Sequence, residues 1–210
     1  MKNPQRGYKM LKYEIVDNQK EEWVVFVHGI GGSTKTWSKQ IDGFSEQYNV
    51  NFAVCYPTYV KSIILGGSSL KLSGIYKGAV ILANKIKRFV PYTFLYKFFA
   101  WFMMPSKSHK KSRLIFLREV VKLKKETMFA WIEYVQFTLH PEQILSKLEF
   151  LGKKILFISG DEDRCFIDDA KILAKKMRNT EMKIIEKCGH ICSIENWSTF
   201  NRIALDFFRR

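Results

Sequence analysis

Acidic residues are almost missing from the middle of this chain: residues 71–125 hold fourteen lysines and arginines against one carboxylate, Glu119. That segment carries most of the formal net charge of +15. Such an imbalance admits two readings, a solvated helical face or a surface for an anionic partner. No nucleic-acid-binding motif accompanies the charge, so no nucleic-acid partner is expected, and an anionic membrane surface is the candidate that stays. Cysteine is sparse as well. Cys55, Cys165, Cys188 and Cys192 lack the spacing of a paired framework, which argues against a disulfide-stapled secreted domain and for thiols in a reducing compartment. The run Cys188-Gly-His-Ile-Cys192 has no second Cys/His pair to complete four ligands, so neither a metal nor a cofactor is expected. Long apolar runs are absent too. Residues 90–105 are densely aromatic, but Lys97 interrupts them, prolines bound them, and a membrane span needs about 20 apolar residues. No apolar stretch follows Lys2, Arg6, Lys9 and Lys12, so no secretory signal or transit peptide is expected and the cytoplasm is the expected compartment. Internal repeats and low-complexity tracts do not occur.

What is present is a large apolar payload. With 47% hydrophobic residues, 17 of them Phe among 210 residues in all, the chain can bury a sizeable core in one domain with an inserted subdomain. Residues 11–16 alternate apolar and polar, the pattern of a half-buried strand, while residues 23–27 (Trp-Val-Val-Phe-Val) form the continuous run of a buried one. Ser33 or Thr34 can cap a helix to about Tyr48, with Trp37, Ile41 and Phe44 on one face. Residues 60–65 and 153–159 read as further buried strands, each followed by a glycine turn. Residues 167–178 suit a helix, 181–187 a short strand, and 194–210 a closing amphipathic helix. Strands alternating with helices predict a mostly parallel sheet covered on both faces.

Residues 70–151 show helical patterning and no convincing strand. The chain therefore divides into 1–69 and 151–210, the two parts of one α/β core, with 70–150 as a helical cap or lid between them. Plain packing on the sheet, a lid over a pocket, and an interfacial helix flanked by Lys and Arg all fit the aromatic middle of that segment.

Three short motifs carry candidate chemistry. His28-Gly-Ile-Gly-Gly32 follows a buried strand, Gly160-Asp-Glu-Asp163 closes another, and Cys188-Gly-His190 follows the strand 181–187. A carboxylate that orients a neutral imidazole makes a proton shuttle, which is why an acid and a histidine that each follow a strand attract notice. In this order the three motifs resemble the α/β-hydrolase family. The resemblance implies a carboxylic-ester or related acyl hydrolase acting on a small apolar or acyl substrate. It further implies Asp163, rather than Asp161, as catalytic acid, His190 as base, and the backbone N–H of Ile30 as oxyanion donor. His109, in a basic tract, and His140, before Pro141, are expected to be ordinary surface or loop histidines.

One family motif is missing. None of the serines or cysteines lies in a Gly-x-Ser-x-Gly nucleophile elbow, so the nucleophile stays unassigned; Ser68, Ser69 and Cys55 are the nearest substitutes. By the resemblance, the chain near Asn51 joins two points that family members separate by a strand, a helix, the elbow strand and most of the next helix. The expectation is a truncated α/β-hydrolase fold, impaired as an enzyme, or a non-catalytic binding protein descended from one. Residues 23–27 would lose two ladder neighbours, and each buried polar group left unpaired costs about 1–3 kcal/mol. Two repairs are conceivable: a new strand within 48–55, or direct pairing of 23–27 with 62–65. The second is expected, because residues 58–60 are too few for a parallel crossover.

Overall fold

The computed structural model describes residues 15–16, 23–27, 34–44, 49–51, 61–67, 74–127, 129 and 152–210. Its elements in chain order are β1 (Ile15–Val16), β2 (Trp23–Val25), a 3-10 turn (Thr34–Trp37), α1 (Ser38–Phe44), β3 (Asn49–Asn51) and β4 (Ser62–Gly66). Three helices follow, α2 (Gly74–Ile86), α3 (Tyr92–Met103) and α4 (Lys110–Val120). The chain closes with β5 (Lys154–Gly160), α5 (Ile167–Lys176), β6 (Thr180–Ile185), α6 (Cys192–Glu195) and α7 (Trp197–Phe208).

The strands form two three-stranded sheets, β1-β3-β2 and β4-β5-β6. β2 runs parallel to β3, β3 antiparallel to β1, and β4, β5 and β6 run parallel to one another. In β5, Leu156 and Ile158 pack with Val24, Phe26, Phe44, Ile185, Phe200 and Phe207. Ile155 and Phe157 pack on the other side with Ala170, Leu173 and Met177. That alternation explains why residues 155–158 are apolar throughout: a parallel strand is buried on both faces. Val24 and Phe26 belong to the same core cluster as Leu156 and Ile158, so the two sheets share one core through side chains. Buried Gln40 reinforces the junction by donating to the Ser193 carbonyl at 2.7 Å and to Asn201 Oδ1 at 3.0 Å. Asn201 in turn donates to the Lys39 carbonyl at 2.9 Å.

The expected pairing of residues 23–27 with 62–65 is not what the structure shows. Among the described residues β2 pairs with β3, and β4 pairs with β5 in the other sheet. The objection to a new strand assumed that it would reach Cys55 and pair with the strand after it. β3 instead covers only Asn49–Asn51, and its parallel partner β2 precedes it, with α1 on the crossover between them. Residues 26–48 are ample for such a crossover. The closing helix also differs from expectation. It breaks at Asn196, whose side chain accepts from the Thr199 N–H at 3.4 Å and caps α7, leaving α6 as a single turn.

Candidate active site

β5 and β6 are adjacent and parallel, so the loops at their carboxyl ends lie side by side. Gly160 sets their spacing: a Cβ there would run into the carbonyls of Cys188 and Gly189. Backbone bonds then stitch the loops together, from Asp161 N–H to the Ile185 carbonyl at 3.0 Å and from Glu162 N–H to the Cys188 carbonyl at 2.9 Å. Asp161 accepts from the Cys188 N–H at 3.1 Å, and this bond holds its carboxyl below the usual carboxylate range. Asp161 is thereby spent on the backbone.

Asp163 lies deeper, fully buried, with Oδ2 3.0 Å from His190 Nδ1. Its other oxygen accepts from the Cys165 N–H at 3.3 Å. A carboxylate acceptor at Nδ1 places the neutral imidazole's proton there and leaves Nε2 as the basic nitrogen. The His190 side chain is 20% exposed, so the dyad is sheltered yet open to a reactant. The Phe166 ring packs on the imidazole, with centroids 4.8 Å apart. On the His190 backbone sits Gly67, at φ +56°, where a Cβ would strike the His190 carbonyl. Asp163 and His190, distant in sequence, are thus brought together.

His28 and Ile30 lie outside the described residues, as do Cys55, Ser68, Ser69 and His140. Ser159 and Ser193 are buried. The Cys188 thiol, also fully buried, is pushed up to about 12 by burial, and then by the charges of Glu195, Asp161 and Glu162. Burial raises Cys192 in the same direction. Neither is a thiolate near neutrality, and the thiolate is the reactive form.

His109 corrects an expectation. It is fully buried, not a surface residue, and its ring lies over Gly189, where a Cβ would stand 2.6 Å from Nε2. Nε2 is 2.8 Å from Glu162 Oε2 and 3.7 Å from Glu195 Oε2, although among the described residues neither approach is aligned as a hydrogen bond. Glu195 accepts from the Gly189 N–H at 2.7 Å and the Ile191 N–H at 3.4 Å, bracing the backbone on both sides of His190. No local pattern marks His109, because its partners are remote in the chain. A cleft of about 330 Å³ lies elsewhere, lined by Lys154, Asn179, Thr180, Glu181, Phe207 and Arg210 where β5 and β6 begin. Ligands of open α/β sheets bind at the other, carboxyl end of the strands, so this cleft does not mark the site.

The structure superposes on solved hydrolases over nearly its whole length. An enol-lactonase from Burkholderia xenovorans LB400 matches with a TM-score of 0.77 at 11% identity, covering 95% of this chain and 96% of that one. An α/β-hydrolase enzyme from a Medee basin deep-sea metagenome matches with a TM-score of 0.67 at 17% identity, covering 95% and 94%. The chain has the α/β-hydrolase fold. MenH from S. aureus shows the same fold with a TM-score of 0.72 at 15% identity, covering 95% and 98%. No sequence-family model matches the chain. No curated protein sequence is recognisably similar to it. At these identities the α/β-hydrolase likeness concerns the fold alone.

Proposed function

We propose that this α/β-hydrolase-fold protein carries a carboxylic-ester or related acyl site that keeps the acid–base pair and lacks the nucleophile, so that it binds a small apolar or acyl ligand without forming an acyl-enzyme. The observation that carries the reading is the buried Asp163 held 3.0 Å from His190 Nδ1 in a chain with no Gly-x-Ser-x-Gly. In the serine route, a hydroxyl proton passes to Nε2 and then to the leaving alcohol while an N–H, here expected from Ile30, holds the oxyanion. Asp163 and His190 supply the proton steps. The covalent step has no donor in the family pattern.

Residues 70–150 act as the cap in this proposal. Two contacts support that role: Ala100, Met103 and Met104 pack with Cys165, Phe166 and Ile191, and His109 lies on Gly189. A cytoplasmic location belongs to the same reading and rests on the buried thiols Cys165, Cys188 and Cys192, none of them in a disulfide. The test is rapid mixing with p-nitrophenyl acyl esters, beside displacement of a fluorescent fatty-acyl probe. Displacement without a burst of p-nitrophenolate is expected. A burst lost in His190→Ala would show an acyl-enzyme, and failure of every acyl probe to bind would remove the ligand class.

A further inference from the structure

α3 is apolar on two sides, and only one side is covered. Tyr96, Ala100 and Met103 are buried, packed against α4 and the acid loop with Val120, Phe116, Leu117, Cys165 and Phe166. On the opposite side Phe94, Phe98 and Trp101 are 61%, 54% and 59% exposed. Their spacing of i, i+4, i+7 lines them along one stripe. Lys97 is exposed within the same stripe, and the turn leading into α3 presents Arg88 and Phe89, the latter 87% exposed. Residues 71–118 contain no Asp or Glu, so nothing in this stretch of chain offsets the positive charge.

We propose that this face of α3 docks on an anionic phospholipid surface, with Phe94, Phe98 and Trp101 entering the headgroup boundary and Lys97 and Arg88 meeting the phosphates. Charge selects the occupant. A second copy would bring the same cations, in a chain of net charge +15, against themselves, whereas an anionic leaflet attracts them. Length selects the mode. The 12 residues of α3 extend about 18 Å, well short of a hydrocarbon core of about 30 Å, and among the described residues no helix is long and apolar enough to cross a membrane. A short helix with an aromatic stripe and flanking cations lies in the interface plane. The inner face of the same helix rests on Cys165 and Phe166 beside the dyad, so docking would hold the site close to the lipid. The inference does not depend on whether that site turns over a ligand.

The test is flotation of the full chain with phosphatidylcholine vesicles, with and without phosphatidylserine, at low and high salt. Wild type should float with the phosphatidylserine vesicles at low salt and be released as salt rises. The triple variant Phe94→Ser/Phe98→Ser/Trp101→Ser should lose about tenfold or more in partitioning, and Lys97→Glu/Arg88→Glu should lose the phosphatidylserine preference. An unchanged circular dichroism spectrum and urea midpoint in both variants keep misfolding apart from lost docking. For the case where the triple variant unfolds, quenching of Trp101 in the wild-type background by brominated lipid, compared with Trp101→Phe, reads insertion directly. Three results overturn the proposal: no flotation at low salt, equal flotation of the folded triple variant, or a vesicle-free dimer that the triple variant abolishes.

Discussion

Placing a methyl group on Gly189 should damage the protein, and removing the His109 ring should repair much of that damage. A Cβ at residue 189 would stand 2.6, 2.8 and 2.9 Å from three atoms of the His109 ring, closer than carbon atoms pack. Gly189 is not among the positive-φ glycines, and the three atoms nearest to its Cβ position all belong to the His109 ring. Overpacking of this kind costs about 1–3 kcal/mol, and the ring, itself fully buried, has no solvent to move into. His109→Ala alone should cost about 2–4 kcal/mol, since it opens a cavity and leaves the partly buried Glu195 beside an emptied space. In His109→Ala/Gly189→Ala the new methyl enters that cavity, so the double variant should be more stable than the sum of the singles by about 1–3 kcal/mol. Urea unfolding of the four proteins, compared at constant m, reads each term. Additivity to within about 0.5 kcal/mol would refute the claim that His109 lies on the His190 loop.

Three further predictions follow from the same geometry. Cys188 has its thiol raised from the ordinary 9.0 to about 12, so the stability it contributes is complete below pH 9 and is lost as pH rises toward 12. The urea midpoint of wild type should therefore fall more steeply across that window than that of Cys188→Ala, and native Cys188 and Cys192 should resist iodoacetamide at pH 8, as read by peptide mass mapping. Gln40→Leu removes two donated bonds and leaves the Ser193 carbonyl and Asn201 Oδ1 buried, which should cost about 1–3 kcal/mol by urea unfolding; an unchanged midpoint would mean that α1 does not clamp the two sheets. Gly67→Ala combines a φ of +56° with a collision at the His190 carbonyl, so it should both destabilise the fold and shift the His190 ring signals in NMR spectra; unshifted signals would argue against the contact.

Much of the C-terminal half was legible in the sequence because its signals are local. Residues 155–158 are apolar on both faces, as a doubly covered strand must be, and the Gly-Asp-Glu-Asp run that closes the strand resembles the family's acid loop. Asp163 and His190 were legible through their resemblance to the family's acid and histidine loops, and the parallel pairing of β5 with β6 brings the ends of those two strands together. β3 was harder. The three residues Asn49-Val50-Asn51 have little strand character of their own, and they form one because β2 and β1 pair with them on either side. His109 was illegible for a related reason. Its tract, Ser-His-Lys-Lys, looks like solvated surface, whereas its burial is set by Gly189, Glu162 and Glu195, which no local window contains.

The central claim, an acid–base dyad without a serine nucleophile, is tested most directly by fluorophosphonate labelling. The folded protein would be treated beside His190→Ala, and any modified residue located by mass spectrometry. The account predicts no His190-dependent modification of any serine. A single serine labelled in wild type and spared in His190→Ala would contradict it and make the protein a hydrolase with a displaced nucleophile.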